Sequence, residues 1–279
     1  MSFMYNPFPF DDPKPVNRPE LSKKTIDAVV SGGTPAVAKK FAASVIESAR
    51  ESNRILAFDG YTTVDWKLFL NLVARECRIA GVEFVSIDQN KECFKSGEEI
   101  DNMIDPLLIW DTKIDPTLLY GKIYKGGYEG LLDEVKTKKF EENVMSLKEG
   151  KGKVVAVYGY GCLIPRFRKL YDVKCFFDIT PKTSILRIRG GEYSNIGKER
   201  PDQINRVIRR CYYCDFEIAV CNRRELLHNS AIDFFFLADD PKNIVMMPFE
   251  TFSDICAQLV KYPFRAKPCY LEGVWGGSY

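Results

Sequence analysis

Asp59, Thr62, Thr63, Asp65 and Lys67 fall within nine residues of one another, directly behind the short apolar run 55–58, in the stretch Arg54-Ile-Leu-Ala-Phe-Asp-Gly-Tyr-Thr-Thr-Val-Asp-Trp-Lys67. A strand, a tight turn and a helix start in that order form the usual seat of a bound phosphate. The chemistry would be anion binding, with peptide N–H groups at the helix start, Gly60 in the turn, Thr62 and Thr63 as hydroxyl donors and Lys67 as the charge. Gly60 is the only glycine in this stretch, and Asp59 and Asp65 bring negative charge to the same place. Close approach of several N–H groups to a phosphate ordinarily needs more glycine, so the loop reads as an eroded phosphate cradle. Asp65 is equally suited to capping the helix.

Other candidates are more dispersed. Asp88 follows a second apolar run and could accept a proton from a substrate hydroxyl, or cap a helix. Gly159-Tyr-Gly161 reads as a tight turn. Arg187, Arg189, Arg200, Arg206, Arg209 and Arg210, with Gly190-Gly191 among them, could form a lid over phosphates; their spread along two helices reads rather as a solvated face. Cys211, Cys214, Cys221 and His228 have spacings compatible with zinc, but in a predicted helix end and an apolar strand they read as buried thiols. With one histidine in the chain and no Gly-x-Ser-x-Gly elbow, no nucleophilic triad can be assembled.

The elements that would carry these residues alternate. Strands are predicted at 55–58, 82–87, 153–158, 173–179, 216–220 and 234–237. Helices are predicted at 23–30, from Thr34 onward with Pro35 in its first turn, at 66–80, 91–95, 117–120, 130–137, 141–149, 181–189, 202–213 and 251–259. Val37, Phe41, Val45 and Ile46 in one helix, and Leu68, Leu72, Val73 and Ile79 in another, are expected to face the core. Short apolar strands separated by helices give an α/β three-layer fold with a mostly parallel sheet. Ligands in such sheets bind beyond the carboxyl ends of the strands. That selects residues 59–67, 88–90, 159–161, 180–182 and 222–224.

The net charge of +2 gives no global case for nucleic acid or an anionic membrane. No apolar run is long enough to span a bilayer, and prolines at 7, 9, 13, 15 and 19 do not suit a secretory signal. The nine scattered cysteines are expected to be reduced, in a cytoplasmic protein. Residues 1–20, rich in proline and aromatics, read as an extended arm.

Two stretches resemble known families. Lys153-Val-Val-Ala-Val-Tyr-Gly-Tyr-Gly161, then Leu170-Tyr-Asp-Val-Lys-Cys-Phe-Phe-Asp178, then Ile185-Leu-Arg-Ile-Arg189 resemble the uridine-kinase-like branch of the P-loop kinases, over roughly residues 50–240. The resemblance implies a P-loop-kinase-like fold, ATP and Mg²⁺ as cofactors, Asp88 as the substrate-side carboxylate, Lys67 in place of the loop lysine and Arg187 and Arg189 leading to a lid. The Gly-Lys-Ser/Thr frame of that family is absent. The tail Pro263-Phe-Arg-Ala-Lys-Pro-Cys-Tyr-Leu-Glu-Gly-Val-Trp-Gly-Gly277 is similar to the opening of class I mannose-6-phosphate isomerases. That family's zinc site uses Gln, Glu and two His, which one histidine cannot supply, so no zinc site is expected here.

The expected organisation is an arm (1–20), a kinase-like domain (21–262) and the start of an isomerase-like segment (263–279). The expected role is a degenerate kinase-like domain that binds a phosphorylated ligand or nucleotide and is an accessory to an isomerase-like partner domain. The alternatives are an active ATP-dependent nucleoside or sugar kinase, and a structural oligomerisation domain using the arm.

Overall fold

The computed structural model describes residues 20–116 and 120–261. The arm, the isomerase-like tail and most of the helix expected at 117–120 lie outside the described residues.

The chain divides into two compact units. In the smaller, residues 1–29 and 250–279, the described part holds α1 (Lys23–Ala28) and nearly all of α10 (Phe249–Leu259). Ser22 caps α1 by accepting from Thr25 N, and Thr25 Oγ1 donates to Asp254 at 2.5 Å.

The larger unit, residues 30–249, is built on a six-stranded sheet. The strands are β1 (Arg54–Gly60), β2 (Glu83–Asp88), β3 (Lys153–Tyr158), β4 (Val173–Asp178), β5 (Phe234–Leu237) and β6 (Val245–Pro248), in the order 2-3-1-4-5-6. Every pairing is parallel except β5 with β6. β1 lies between β3 and β4, so the loops after all three open at the same edge. β6 was not anticipated, because four residues ending in proline are too short to show a period.

The helices are α2 (Thr34–Glu51), α3 (Lys67–Ile79), α4 (Gln89–Cys93), α5 (Gly97–Ile104), α6 (Glu134–Leu147), α7 (Pro181–Arg189), α8 (Ile204–Arg210) and α9 (Phe216–His228). Pro35 sits in the first turn of α2, and Val37, Phe41 and Val45 are buried. α5 was not foreseen, although Ser96 and Glu99 form a full capping box at its start. Residues 130–137 and 141–149 do not make two helices: 129–131 is a single 3₁₀ turn, and α6 is continuous behind its Asp133 cap.

Two further expectations are corrected. Residues 216–220 are helix, not strand: Cys211–Asp215 forms one π turn that joins α8 to α9 without a break. The run Phe-Glu-Ile-Ala-Val is too short for its apolar residues to distinguish the two periods. In α3 the buried face is Phe69, Leu70, Val73 and Cys77, whereas Leu68 and Ile79 are exposed.

Alternation along the strands sends side chains to opposite faces. On one face Phe58 and Phe177 meet Phe41 of α2 and Phe69 of α3; Phe41 and Phe58 lie 5.7 Å apart, Phe69 and Phe177 5.3 Å, and Phe177 stacks on Phe236 at 4.2 Å. This dense aromatic layer fixes β1 and the position of its end. Asp59, the next residue along, faces the other side, toward α9. Among the described residues no helix is long and apolar enough to cross a membrane.

Candidate functional site

At the end of β1 the chain turns through residues 61–66 into α3. Gly60 has no room for a side chain: a Cβ would lie 2.7 Å from Val64 Cγ1 and 3.0 Å from the Phe177 carbonyl. Thr63 adopts φ 75°, unusual for a residue with a Cβ. The turn is held by protein partners. Gly60 N–H donates to Asp59 Oδ1 at 2.7 Å, Tyr61 N–H to the Phe177 carbonyl at 3.0 Å, Thr63 N–H to Tyr160 Oη at 3.1 Å and Val64 N–H to the Tyr61 carbonyl at 3.2 Å. Lys67 N–H donates to Asp65 Oδ1 at 2.9 Å, so Asp65 serves the helix start. The peptide donors that a phosphate loop would turn toward its ligand are thus largely engaged by the protein.

Asp59 is fully buried and is the internal anion of this edge. Besides Gly60, it accepts from Gly161 N–H at 3.0 Å, Leu163 N–H at 2.9 Å and Asn222 Nδ2 at 3.1 Å. Burial pushes its carboxyl up from 3.8 to about 6, while the bonds from Leu163, Asn222, Gly60 and Gly161 pull the other way. Gly161 can present its N–H because it takes φ +77°, with a Cβ position only 2.6 Å from Tyr128 Cγ.

The residues expected to bind phosphate are distributed as follows. Gly60, Thr62 and Thr63 are buried in the turn. Thr63 Oγ1 lies 3.3 Å from Ser184 Oγ, and Ser184 Oγ donates to the Thr62 carbonyl at 3.0 Å. Arg187 comes to the same place, donating to the Thr63 carbonyl and the Asp239 carbonyl, each at 2.8 Å, so it staples the turn to the segment after β5. Lys67 is exposed at the start of α3 and lines a recess of about 290 Å³ with Asp65, Asn71 and Ser86. Arg189 is exposed on α7, apart from the turn.

Asp88 lies elsewhere along the edge, in a cleft of about 700 Å³. β2–β3 pairing sets it beside Tyr158, and Trp66 lies across, with ring centroids 6.0 Å from Tyr158 and 5.3 Å from Tyr160. Asp88 Oδ1 caps α4, accepting from Asn90 N at 3.2 Å and Lys91 N at 3.4 Å. Its other oxygen lies 3.7 Å from Lys91 Nζ. Asn90 clamps the Gly159–Gly161 turn, donating to the Tyr160 carbonyl at 2.7 Å and accepting from its N–H at 2.8 Å. Burial, then the Asp88 charge, raises the Tyr158 hydroxyl. Lys95 and Lys136 on the far wall donate to main-chain carbonyls. Aromatic rings, a carboxylate and ammonium groups in one cleft suit a small polar ligand with an apolar face.

The remaining wall is residues 194–199, absent from the sequence reading. It hangs from a buried polar cluster. Tyr193 Oη and Asn195 Nδ2 donate to Asp215 Oδ2 at 3.0 and 2.8 Å, and Arg210 donates to the Ile196 carbonyl and to Asp101 Oδ1, each at 2.6 Å. Arg209 and Arg210 are therefore not on a solvated face: both are buried, Arg209 paired with buried Asp115 at 2.8 Å. The sequence signal was present as an Arg-Arg pair facing inward, but its acidic partners are about a hundred residues away. Residues 222–224 lie in α9 rather than at a strand end, yet Asn222 reaches Asp59, and Arg223 pairs with Asp178 at 2.9 Å. Cys211 and Cys214 are buried in the π turn while Cys221 is exposed on α9; among the described residues no three His, Cys, Asp or Glu come together as a metal site.

No curated protein matches the chain. A solved structure described as a "putative fructose transport system kinase" from Silicibacter sp. TM1040 is similar, with a TM-score of 0.44 and 11% identity, over 67% of this chain and 94% of that one. The family model described as Domain of unknown function (DUF8485) matches residues 33–261, and the chain belongs to that family.

Proposed function

We propose that this is a kinase-like domain whose first loop has given up nucleotide for an internal carboxylate, and whose ligand site is the cleft between Trp66, Asp88, Tyr158 and the 194–199 wall. A first strand flanked by parallel neighbours, with its following turn at the carboxyl edge, is the frame that the resemblance to P-loop kinases implies. The observation that carries the reading is Asp59. Its carboxylate collects N–H groups from the turns after β1 and β3, where a kinase of that type would gather donors about phosphate. As folded, the turn offers ATP and Mg²⁺ few donors. The ligand in this reading is a small phosphorylated metabolite, and the domain is an accessory to an isomerase-like partner, which rests on the sequence resemblance at 263–277 alone.

The test is a titration with a hexose 6-phosphate, read by the fluorescence of Trp66 with the other two tryptophans replaced by phenylalanine. Saturable quenching that is lost in Asp88→Ala supports the cleft as the site. No saturable change up to millimolar ligand removes a phosphosugar from the reading.

One observation favours a second reading. Asp88 lies in the cleft, at the end of the strand beside β3, where a general base for a substrate hydroxyl would stand. In that case the domain is an ATP-dependent kinase of a small nucleoside or sugar, and Mg-ATP consumption that disappears in Asp88→Asn is the deciding result.

A further inference from the structure

A separate recess of about 210 Å³ lies beside α9 and shares no lining residue with the cleft. Its apolar lining is Ile164, Pro165 and Ile218; its polar lining includes Tyr128, Glu129 and Asn222. Asn222 is only 9% exposed. Its amide is oriented from within. Nδ2 donates to the Asp59 carboxylate, which when ionised can only accept, so Oδ1 is the atom left on the recess side of the amide. Oδ1 takes no donor from the described residues. Tyr128 is 2% exposed, and its hydroxyl is likewise without a partner among them. Glu129 is exposed, and no described cation pairs with it. Glu225, also in the lining, is already engaged: Arg168 pairs with one oxygen, and Asn229 Nδ2 donates to the other at 2.7 Å. Buried polar atoms of a folded chain rarely lack a partner, so Oδ1 calls for a donor from outside the chain.

We infer that this recess binds the ammonium group of a small aliphatic amine, with the cation on Asn222 Oδ1 and the Glu129 carboxylate and the alkyl stem along Ile164, Pro165 and Ile218. The groups left unused here can all accept, and one carries a full negative charge. An ammonium group, with three donors and no acceptor, is their complement. A phosphate or carboxylate would instead meet the oxygens of Asn222 and Glu129. The volume is below the roughly 300 Å³ at which sites for drug-sized ligands begin, so the occupant is small. Asn222 joins that occupant to Asp59, the carboxylate that holds the turns after β1 and β3. The inference does not depend on the reading of the cleft.

Cys221 lines the recess and is exposed, so its alkylation reports occupancy. The experiment measures the rate at which iodoacetamide, a neutral reagent, alkylates Cys221 in the full chain, read by peptide mass spectrometry. The additions compared are n-butylammonium chloride, n-butanol and sodium chloride, at matched ionic strength. Butylammonium is expected to slow Cys221 about fivefold once its concentration is about four times its dissociation constant, and the effect should saturate. The partly exposed Cys256 serves as control and should not be slowed. Asn222→Ala should abolish the protection. Glu129→Gln changes an exposed residue, serves if Asn222→Ala does not fold, and should raise the butylammonium concentration needed about tenfold. Equal slowing by butanol would show an apolar recess with no call for a cation. Equal slowing by sodium chloride, no slowing at all, or wild-type protection in Glu129→Gln would likewise overturn the site and leave Asn222 to water. A chain that binds no hexose phosphate in the cleft yet shows protection at Cys221 would count against the cleft ligand and support the recess.

Discussion

Asn222 on α9 donates from Nδ2 to Oδ2 of Asp59 at 3.1 Å, across 163 residues of sequence. This bond ties the helix behind the sheet to the end of the central strand, and it completes a set of four donors around one buried carboxylate. The turn after β1, the turn after β3 and α9 therefore share a single anion. Replacing Asp59 by alanine leaves Gly60, Gly161, Leu163 and Asn222 without their acceptor. At pH 7 the chain should lose about 2 kcal/mol of stability to chemical denaturation. A midpoint equal to that of wild type would show that water serves these donors equally well.

The same carboxylate sets a pH dependence of definite sign. Its folded value of about 6 lies above the ordinary 3.8, so between these values the folded chain binds more protons than the unfolded one. The protonation-linked part of the Asp59 contribution is therefore fully present below about pH 4 and is lost as pH rises through 6, a change on the order of 3 kcal/mol that is separate from the loss of the four hydrogen bonds in Asp59→Ala. Denaturation midpoints of wild type and Asp59→Asn, followed from pH 4.5 to 7, should show wild type falling relative to the variant. The opposite slope would mean that the four donors outweigh burial.

Gly161→Ala tests the geometry of the second turn. The substitution sets a methyl group 2.6 Å from Tyr128 Cγ, at a φ of +77°. Stability should fall by about 2–4 kcal/mol, and the Leu163 and Gly161 amides should lose hydrogen-exchange protection before those of β4 do. An alanine variant as stable as the parent would contradict the close approach.

Arg187→Met separates a staple from a lid residue. Arg187 bridges two main-chain carbonyls, those of Thr63 and Asp239. Its loss should cost about 1–2 kcal/mol of stability and leave ligand affinity in the cleft unchanged. A large fall in affinity without loss of stability would assign Arg187 to a ligand instead.

The architecture was legible where the pattern was long or the punctuation strong. β3, with four buried residues in a row, and α7, opened by Thr180-Pro181, were read with their observed bounds. The aspartate in the turn after β1 was visible as a charge placed where an anion would sit. Its partners were not, because Gly161, Leu163 and Asn222 come together only when the turns converge at one sheet edge. The same holds for the wall at 194–199. Arg210 was read with the other arginines as a solvated face, Asp101, Lys198 and Asp215 carried no signal of their own, and only the π turn and the unforeseen α5 bring the four into one cluster. Phe216–His228 was misjudged at its start because five residues carry too little periodicity, while the continuous turn before it decides for helix.

The central claim is that the turn after β1 keeps its donors for Asp59 and other protein acceptors rather than for a nucleotide. Isothermal titration of the full chain with Mg-ATP measures this directly. The account predicts no saturable heat up to millimolar nucleotide, in wild type and Lys67→Ala alike. Micromolar affinity in wild type that vanishes in Lys67→Ala would contradict it.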